Sequence, residues 1–460
     1  MEYLTPLRIA EVTGGEYIGG DLAGGVRVTG AVSDNRDVKP GDLFVCIKGE
    51  HADGHDFAAS AFAAGAACCL AERALNGATG PYVRVASTLE AIKTVGRYYR
   101  RLFDIPFIGV TGSVGKTTAK EMIAAVLSEK LNTHKTLKNH NNELGIPLTL
   151  LSLDDRHEAA VIEMGISDFG EMSRISDIVR PDICVMTNIG YAHLLELEDL
   201  NGVLRAKSEI FSFMKPDGVA IMNGDDDLLR DYDPGIKKIT YGLGEHNDIR
   251  AENVVAEGTD SVSLSIVSDS GRFPAMIPAF GAQLALSALA ATAVGRQFGM
   301  TDEEISRGLL SYKPVEGRAN IIQTGAITII DDCYNANPTS VTSALFTLSA
   351  LQIRRGAQPF RRVAILGEMI GLGDKSDQMH RDVGAFAARC GLDSLICCGD
   401  QAAHIYEGYI TAGGNEPWFF LLKTELIQAL PELIKKGDAV LIKASRDVKF
   451  KEILPALIEL

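Results

Sequence analysis

The sequence predicts an α/β protein of three domains: a small α/β domain, a central domain with a mostly parallel, P-loop ATPase-like sheet, and a C-terminal Rossmann-like domain. The chain has 460 residues, too many for one hydrophobic core. Apolar strand candidates alternate with helical patterns in its second and third parts, and a glycine-rich turn joins a strand to a helix where the second part begins. We therefore expect domains at residues 1–103, 104–310 and 311–460.

The elements can be placed in chain order. The first part contains a strand near 42–47 and an Ala-rich helix near 57–64, and the second opens with an apolar strand at 105–110. A helix at 119–131 and another at 201–214 are expected from their apolar periodicity. The remaining strand candidates are short apolar runs, at 159–162, 183–186, 219–222, 327–330, 363–366, 394–397 and 439–442.

Composition excludes several classes of protein. A net charge of −15 argues against a nucleic-acid-binding or anionic-membrane surface. The longest apolar helical stretch, near 282–294, is too short to span a bilayer, and no signal-peptide pattern is visible. The eight cysteines include no C-x-x-C pair, which indicates buried reduced thiols. We expect a cytoplasmic protein, and nothing in the sequence demands more than a monomer.

The strongest local signal is a phosphate-binding loop, Thr111-Gly112-Ser113-Val114-Gly115-Lys116-Thr117-Thr118, between the strand at 105–110 and the next helix. Its backbone N–H groups are expected to cradle phosphates, Lys116 to reach the β and γ oxygens, and Thr117 to bring its hydroxyl to Mg²⁺. The strict G-x-x-x-x-G-K-[ST] template fails by one residue, because position 110 is Val. An incidental glycine turn is the weaker alternative.

Three further residues belong to the predicted site. Glu163 and His193 follow strand candidates, and ligands of open α/β sheets gather at the carboxyl ends of strands. Lys207 lies on the apolar face of the helix predicted at 201–214, where burial of its charge is costly unless the charge is removed or paired. The alternatives are a structural histidine and a snorkelling lysine.

The loop form T-G-S-x-G-K-T-T resembles that of the Mur ligases and folylpolyglutamate synthases. Mur ligases also show segments similar to five others of this chain, which together run from about residue 30 to 450. These segments are 33–44, 53–57, 138–147, Glu316-Gly317-Arg318 with Asp331-Asp332-Cys333-Tyr334-Asn335-Ala336-Asn337-Pro338, and Leu441-Ile442-Lys443-Ala444-Ser445-Arg446.

The Mur ligase resemblance implies roles for these residues. Lys207 is expected to react with CO₂, and the carbamate to serve with Glu163 and His193 at one Mg²⁺, while Thr117, Glu163 and ATP oxygens hold a second. Arg318 is expected to fold onto the γ-phosphate and Asp332 to hold the ribose. The catalytic residues implied are Lys116, Lys207, His193 and Arg318, and the ATP-binding residues are Gly112, Ser113, Val114, Gly115, Lys116, Thr117, Thr118, Asn142, Arg318 and Asp332.

The same resemblance implies the substrates. The D-x-Y-N-A-N-P string is similar to that of the branch that adds D-alanyl-D-alanine to UDP-N-acetylmuramoyl-tripeptide (UDP-MurNAc-tripeptide) through an acyl phosphate, the final cytoplasmic step of peptidoglycan precursor synthesis. The substrate-binding residues implied are Ser33, Asp34, Asn35, Arg36, Asp53, Gly54, His55, Tyr334, Asn335 and Asn337.

One stretch departs from the family pattern. Mur ligases usually show G-x-H-N-x-x-N before an Ala-rich helix, and its first Asn contacts adenine. Here the stretch is Gly281-Ala282-Gln283-Leu284-Ala285-Leu286-Ser287. Gln283 is the candidate replacement, and a lower affinity for ATP is the alternative. A diverged Mur-type ligase with another amine acceptor, a P-loop kinase and an ATP-gated binding protein are the alternatives.

Overall fold

The computed structural model describes residues 4–19, 25–351 and 360–460. Three sheets of five, nine and six strands follow one another along the chain, each accompanied by helices. The predicted three-domain α/β fold is thereby confirmed. Among the described residues, no helix combines the length and apolarity needed to cross a membrane.

The N-terminal domain carries a five-stranded sheet of order β1-β5-β4-β3-β2. All neighbours are parallel except β1 and β5, so the carboxyl ends of β2, β3 and β4 meet at one edge. Its elements are β1 (Glu16–Ile18), β2 (Gly30–Val32), β3 (Asp42–Val45), β4 (Cys68–Ala71), β5 (Tyr82–Arg84), α1 (Pro6–Thr13), α2 (Ala58–Ala63) and α3 (Thr88–Arg100).

The central domain is built on the nine-stranded sheet, of order β14-β13-β12-β11-β10-β9-β6-β8-β7. Its strands are β6 (Phe107–Thr111), β7 (Thr133–Lys135), β8 (Ala159–Glu163), β9 (Ile183–Met186), β10 (Val219–Asn223), β11 (Lys237–Gly242), β12 (Ile249–Glu257), β13 (Ser261–Ser268) and β14 (Gly271–Ile277). Its helices are α4 (Lys116–Leu127), α5 (Gly145–Leu150), α6 (Glu171–Val179), α7 (Leu194–Leu197), α8 (Leu200–Ser208), α9 (Asp227–Asp231), α10 (Leu284–Gln297) and α11 (Asp302–Leu310).

Strands β6 to β12 of this sheet are parallel, which agrees with the predicted mostly parallel sheet, but β13 and β14 extend it antiparallel. The strand predicted at 183–186 is β9, and the helix predicted at 119–131 begins earlier, at Lys116. The helix predicted at 201–214 is α-helical only to Ser208 and continues as a 3₁₀ turn, Glu209–Phe213. Lys207 therefore lies in the last turn of α8.

The C-terminal domain has a six-stranded sheet of order β15-β16-β20-β17-β18-β19, parallel except for β15. Its elements are β15 (Asn320–Gln323), β16 (Thr328–Asp331), β17 (Arg362–Leu366), β18 (Ser394–Cys398), β19 (Pro417–Phe420), β20 (Ala439–Lys443), α12 (Pro338–Ala350), α13 (Ser376–Arg389), α14 (Ala402–Thr411), α15 (Lys423–Leu433) and α16 (Leu454–Ile458). One buried apolar cluster includes residues of both this domain and the central one. The carboxyl ends of β16 and β20 thus lie across a cleft from the central sheet.

Candidate active site

The phosphate loop leaves the carboxyl end of β6 and enters α4. Gly112 and Gly115 have φ angles of +142° and +84°, which residues with a Cβ rarely adopt. A Cβ at position 112 would also stand 2.0 Å from the Thr187 hydroxyl oxygen. The end of β9 holds the loop, because the Val114 N–H donates to Asn188 Oδ1 at 2.9 Å and the Thr187 hydroxyl donates to the Val114 carbonyl at 2.6 Å.

Lys116 begins α4 and folds back over the loop. Its Nζ donates to the carbonyl oxygens of Gly112, at 2.7 Å, and Ser113, at 3.3 Å. Burial lowers the pKa of Lys116 to about 8, Glu163 opposes this shift, and the Arg318 charge adds to it. The ammonium is thus a donor held over the loop where it could meet phosphate oxygens.

Glu163 ends β8 beneath the loop and is almost fully buried. Its Oε1 accepts hydrogen bonds from the Thr117 hydroxyl at 3.2 Å and the Asn141 amide at 2.9 Å. Its Oε2 is buried with no hydrogen-bond partner in the described part of the chain, and the nearest ammonium, of Lys120, is 3.9 Å away. A buried carboxylate oxygen left in this state fits a cation that binds there.

His193 and Lys207 lie near Lys116 on the β9 side of the site. His193 has a left-handed backbone, with φ +54°, and keeps part of its surface in solvent. Surrounding protein, and then the charges of Lys207 and Lys116, lower the pKa of His193 to about 4, so its imidazole is neutral at pH 7. Lys207 is only 2% exposed, and its ammonium makes no hydrogen bond or ion pair with any described residue. Burial, reinforced by Lys116, places the pKa of Lys207 well below its usual value.

The C-terminal domain reaches into the site through Arg318. Its Nη2 donates to the Thr117 hydroxyl at 3.3 Å, and its guanidinium lies 3.8 Å from the centre of the Tyr334 ring. Asp332, at the end of β16, accepts a hydrogen bond from Lys443 Nζ at 2.6 Å, and the same ammonium donates to the Asn335 carbonyl at 2.9 Å. These residues bring the carboxyl ends of β16 and β20 against the phosphate loop.

The two domains also approach closely at Gly190, which follows β9. The Gly190 N–H donates to the Ser113 hydroxyl at 2.9 Å, and a Cβ at position 190 would stand 2.6 Å from the Thr339 hydroxyl oxygen of α12. Asn337 caps α12, since its side chain accepts the Ser340 N–H at 2.8 Å. The start of α12 is therefore fixed against the central domain.

A cavity of about 770 Å³ lies between the two domains. Most of the residues predicted for ATP, metal and acceptor binding line it; those residues are Ser113, Val114, Gly115, Lys116, Thr117, Thr118, Asn142, Glu163, His193, Arg318, Asp332, Tyr334, Asn335 and Asn337. Gly112 and Lys207 do not line it. Asn141, Lys443 and Arg446 also line it; they lie in segments that the Mur ligase resemblance singled out, but sequence analysis assigned them no role, nor did it assign one to the lining residue Asn188.

Comparison with known proteins decides the family. Three family models match in succession: the Mur ligase family catalytic domain at residues 27–100, the Mur ligase middle domain at 110–295 and the Mur ligase glutamate ligase domain at 317–446. The UDP-N-acetylmuramoyl-tripeptide–D-alanyl-D-alanine ligase of Bacillus subtilis is 36% identical over 94% of this chain and 93% of its own. The chain belongs to the Mur ligase family.

Solved Mur ligase structures agree with this assignment over the whole length. A crystal structure of MurF from Acinetobacter baumannii covers 100% of both chains with a TM-score of 0.88 and 31% identity. MurF from Thermotoga maritima, solved in complex with ADP, covers 94% of this chain and 97% of its own, with a TM-score of 0.79 and 29% identity. Mur ligases are ATP-dependent, ADP-forming amide ligases, which removes the P-loop kinase and the ATP-gated binding protein from the alternatives.

Of the metal ligands predicted from the Mur ligase resemblance, only Glu163 and His193 are side chains that commonly bind metal ions. Within the described ranges, no cluster of three His, Cys, Asp or Glu side chains could hold a metal ion. Thr117, Glu163 and His193 nevertheless line one cavity, and Oε2 of Glu163 is buried without a hydrogen-bond partner among the described residues. Cations bound here would need further oxygen ligands from phosphates or from a modified Lys207.

The substrate residues predicted in the N-terminal Mur ligase domain lie apart from this cavity, at the carboxyl edge of β2 to β4. The Arg36 guanidinium donates to Asp34 from Nε at 2.9 Å and from Nη2 at 2.5 Å, and the Arg36 backbone N–H donates to it at 2.9 Å. These bonds hold the pKa of Asp34 at about 2. The Asn35 amide donates to the Ser60 hydroxyl at 3.2 Å. Ser33, just after β2, is half-buried.

The second N-terminal loop is fixed by Asp53. Its carboxylate accepts the His55 N–H at 3.0 Å and lies 2.5 Å from His55 Nδ1, and these bonds hold the pKa of Asp53 at about 2. His55 Nε2 accepts the Glu72 N–H at 2.8 Å. A Cβ at Gly54 would stand 2.7 Å from the Ile47 nitrogen, so this turn requires glycine. Both loops are therefore shaped before any substrate binds.

Gln283, the residue in place of the histidine in the usual family pattern, lines the cavity at the start of α10. Its Oε1 accepts a hydrogen bond from the Thr347 hydroxyl of α12 at 2.8 Å. The side chain is thus held by the opposite domain, with its amide Nε2 still available as a donor.

Proposed function

We propose that this enzyme joins D-alanyl-D-alanine to UDP-MurNAc-tripeptide at the expense of ATP, giving UDP-MurNAc-pentapeptide, ADP and phosphate. One observation carries the chemistry: Lys116, Thr117 and Glu163 of the central domain meet Arg318 of the C-terminal domain at the wall of one cavity. The choice of substrates rests on the names of relatives that match this chain over nearly its full length.

The reaction begins when the peptide carboxylate attacks the γ-phosphorus of ATP. Lys116 and Arg318 neutralise charge on the transferring phosphoryl group, and the loop N–H groups hold the phosphates in line. The amine of the dipeptide then attacks the acyl phosphate, and the tetrahedral intermediate collapses to the amide and phosphate. Contact between Arg318 and Thr117 forms only when the domains meet, so closure also excludes the water that would hydrolyse the acyl phosphate.

Two Mg²⁺ ions belong to this proposal, with Thr117 and Glu163 at one and Glu163, His193 and the carbamate of Lys207 at the other. Mg²⁺ supplies charge neutralisation on the phosphate oxygens. The neutral imidazole of His193 and the buried Oε2 of Glu163, which accepts no hydrogen bond from a described residue, suit such ligation. Lys207 is suited to carbamate formation because its lowered pKa provides the neutral amine that attacks CO₂ with loss of a proton.

We assign the substrate roles by domain, with the domain bounds at 1–103, 104–310 and 311–460. The loops at 33–36 and 53–55 grip the UDP-sugar, Asn142 and Asp332 contact ATP, and Tyr334, Asn335 and Asn337 face the acceptor dipeptide. Gln283 replaces the usual adenine contact with its free amide N–H. The enzyme acts as a monomer in the cytoplasm, where its product is needed for cell wall growth, cell shape and division.

The test is ATP-dependent phosphate release with UDP-MurNAc-tripeptide, with and without D-Ala-D-Ala, followed by mass analysis of the product. We expect release that requires both substrates and a product with the mass of UDP-MurNAc-pentapeptide. No phosphate release with this pair, but release with another carboxylate and amine, would instead identify a diverged Mur-type ligase. The altered stretch at Gln283 keeps that alternative open.

A further inference from the structure

Four cationic side chains line the 770 Å³ cavity, and three of them are held by other groups of the protein. Lys116 donates to loop carbonyls, Arg318 to the Thr117 hydroxyl, and Lys443 to Asp332 and the Asn335 carbonyl. The fourth is Arg446. Its guanidinium makes no hydrogen bond, ion pair or ring contact with any residue that the structure describes.

The backbone that carries Arg446 is nevertheless firmly fixed. It begins a 3₁₀ turn, Arg446–Val448, just beyond the carboxyl end of β20. The preceding Ser445 is buried, and its hydroxyl donates to the Ala336 carbonyl at 3.1 Å and accepts the Ile370 N–H at 2.9 Å. An exposed guanidinium is thus held at the cavity wall with its donors unused.

The three aspartates of the cavity have other partners, and Glu163 is bound by Thr117 and Asn141 at the far side of the phosphate loop. Asp332 is paired with Lys443, Asp226 accepts the Ile189 and Leu228 N–H groups, and Asp225 accepts those of Leu243 and Gly244. Arg446 is therefore a cation of the cavity wall that lacks a counter-ion among the described residues. A planar guanidinium in this state suits a carboxylate, which it can bind through two parallel hydrogen bonds.

We propose that Arg446 binds the terminal carboxylate of the acceptor dipeptide and so selects amines that carry a carboxylate at their far end. The inference rests on the proposed ligase function. In that function the phosphate loop, Lys116 and Arg318 bind the ATP phosphates, so Arg446 is available for a different anion. The acceptor has one, because its amine must face the acyl carbon while its carboxylate lies two residues away, roughly 7 Å in an extended chain.

The first test compares the wild-type enzyme with Arg446→Gln and Arg446→Lys under saturation by the other substrates. We expect the KM for D-Ala-D-Ala to rise about tenfold to a hundredfold in Arg446→Gln, and less in Arg446→Lys, which keeps the charge without the planar fork. The KM values for ATP and UDP-MurNAc-tripeptide should stay within about twofold, since their phosphates and carboxylate bind elsewhere. Arg389→Gln, at the exposed end of α13, is the control and should change none of them.

The second test removes the carboxylate from the ligand. Wild-type enzyme should prefer D-Ala-D-Ala over its C-terminal carboxamide by a similar factor, and Arg446→Gln should lose most of that preference. An undiminished preference in the variant, or a KM rise confined to ATP or to UDP-MurNAc-tripeptide, would overturn the assignment of Arg446. If the wild-type enzyme ligates a different amine, the proposed function fails, and the same comparison with that amine and its carboxamide still tests Arg446.

Discussion

Two lysines of the central domain are equally buried but have opposite surroundings. Lys120, in α4, is 1% exposed, and its ammonium donates to the Thr136 carbonyl at 2.7 Å and lies 2.8 Å from the Glu121 carboxylate. Lys207, in α8, is 2% exposed and has no such partner among the described residues. The fold around α4 is built for an ammonium ion, whereas the fold around α8 is not.

This difference separates a structural lysine from a reactive one. A buried charge without a partner is costly, so burial and the nearby Lys116 charge lower the pKa of Lys207 well below its usual value and favour the neutral amine. Such a site is retained at the expense of stability only where the amine has chemistry to perform. Substitutions of these lysines and of the groups around them test that contrast.

The largest effect is expected for Lys207→Met. Loss of the carbamate would remove a metal ligand and lower kcat/KM for ligation by about a thousandfold or more. With the wild-type enzyme, ¹³CO₂ should give a carbamate carbonyl signal in ¹³C NMR that the variant lacks.

Lys93, in α3, provides the matched control for Lys207. It is also buried, but its ammonium is paired with Glu90 of the same helix and with Glu143 of the central domain. Lys93→Met should keep both the NMR signal and ligation. Full activity in Lys207→Met would rule out the carbamate.

Lys116 is expected to show the next largest effect. Lys116→Met removes a donor to the transferring phosphoryl group and should lower kcat by roughly a hundredfold to a thousandfold. Steady-state phosphate release measures it, and the ¹³CO₂ signal of Lys207 should persist in this variant. A variant that keeps its kcat would contradict the role given to Lys116.

Two glutamates of the cavity wall are expected to differ in their response to Mg²⁺. Glu163→Gln should raise the Mg²⁺ concentration for half-maximal activity by about tenfold or more, because a charged oxygen ligand is lost. Glu171→Gln is the control, since its carboxylate accepts the Ser167 and Asp168 N–H groups and supports a turn. Equal Mg²⁺ requirements in the two variants would exclude Glu163 as a ligand.

A smaller effect is expected from pH. Because the pKa of free Lys116 is about 8, its ammonium is present below pH 8 and lost above it. ATP affinity should therefore be constant up to about pH 7.5 and fall as pH rises through 8, by at most about tenfold per pH unit. Binding titrations from pH 6 to 9.5 measure it. His193, with a pKa of about 4, adds no inflection in this range.

The smallest effect concerns stability, and here the two lysines should differ in sign. In CO₂-free buffer, Lys207→Met replaces an unpaired buried amine and should raise the free energy of unfolding by about 1–2 kcal/mol. Lys120→Met leaves the Thr136 carbonyl without its donor and removes one of the two ammonium partners of Glu121, so it should lower the free energy of unfolding by about 1–3 kcal/mol. Denaturant unfolding measures both, and a loss of stability in Lys207→Met would contradict the contrast.

Local patterns allowed the phosphate loop, the strand ends and the inward face at Lys207 to be predicted. Each depends on residues within a few positions of one another, as in the strand at 183–186. The antiparallel strands β13 and β14 were missed, because an extension of a sheet depends on which edge is free rather than on local sequence. The pairing of Asp332 with Lys443 joins residues 111 positions apart, and no local pattern predicts it.

The tight approach at Gly190 has a practical consequence. Closure brings the Thr339 hydroxyl to a point where one added carbon on residue 190 would obstruct it. A small molecule bound between Gly190 and Thr339 would hold the two domains apart and keep Arg318 from the phosphate loop. Such an inhibitor would act on the approach of the domains rather than on the contacts of one substrate, which makes this junction a target of a different kind from the phosphate loop.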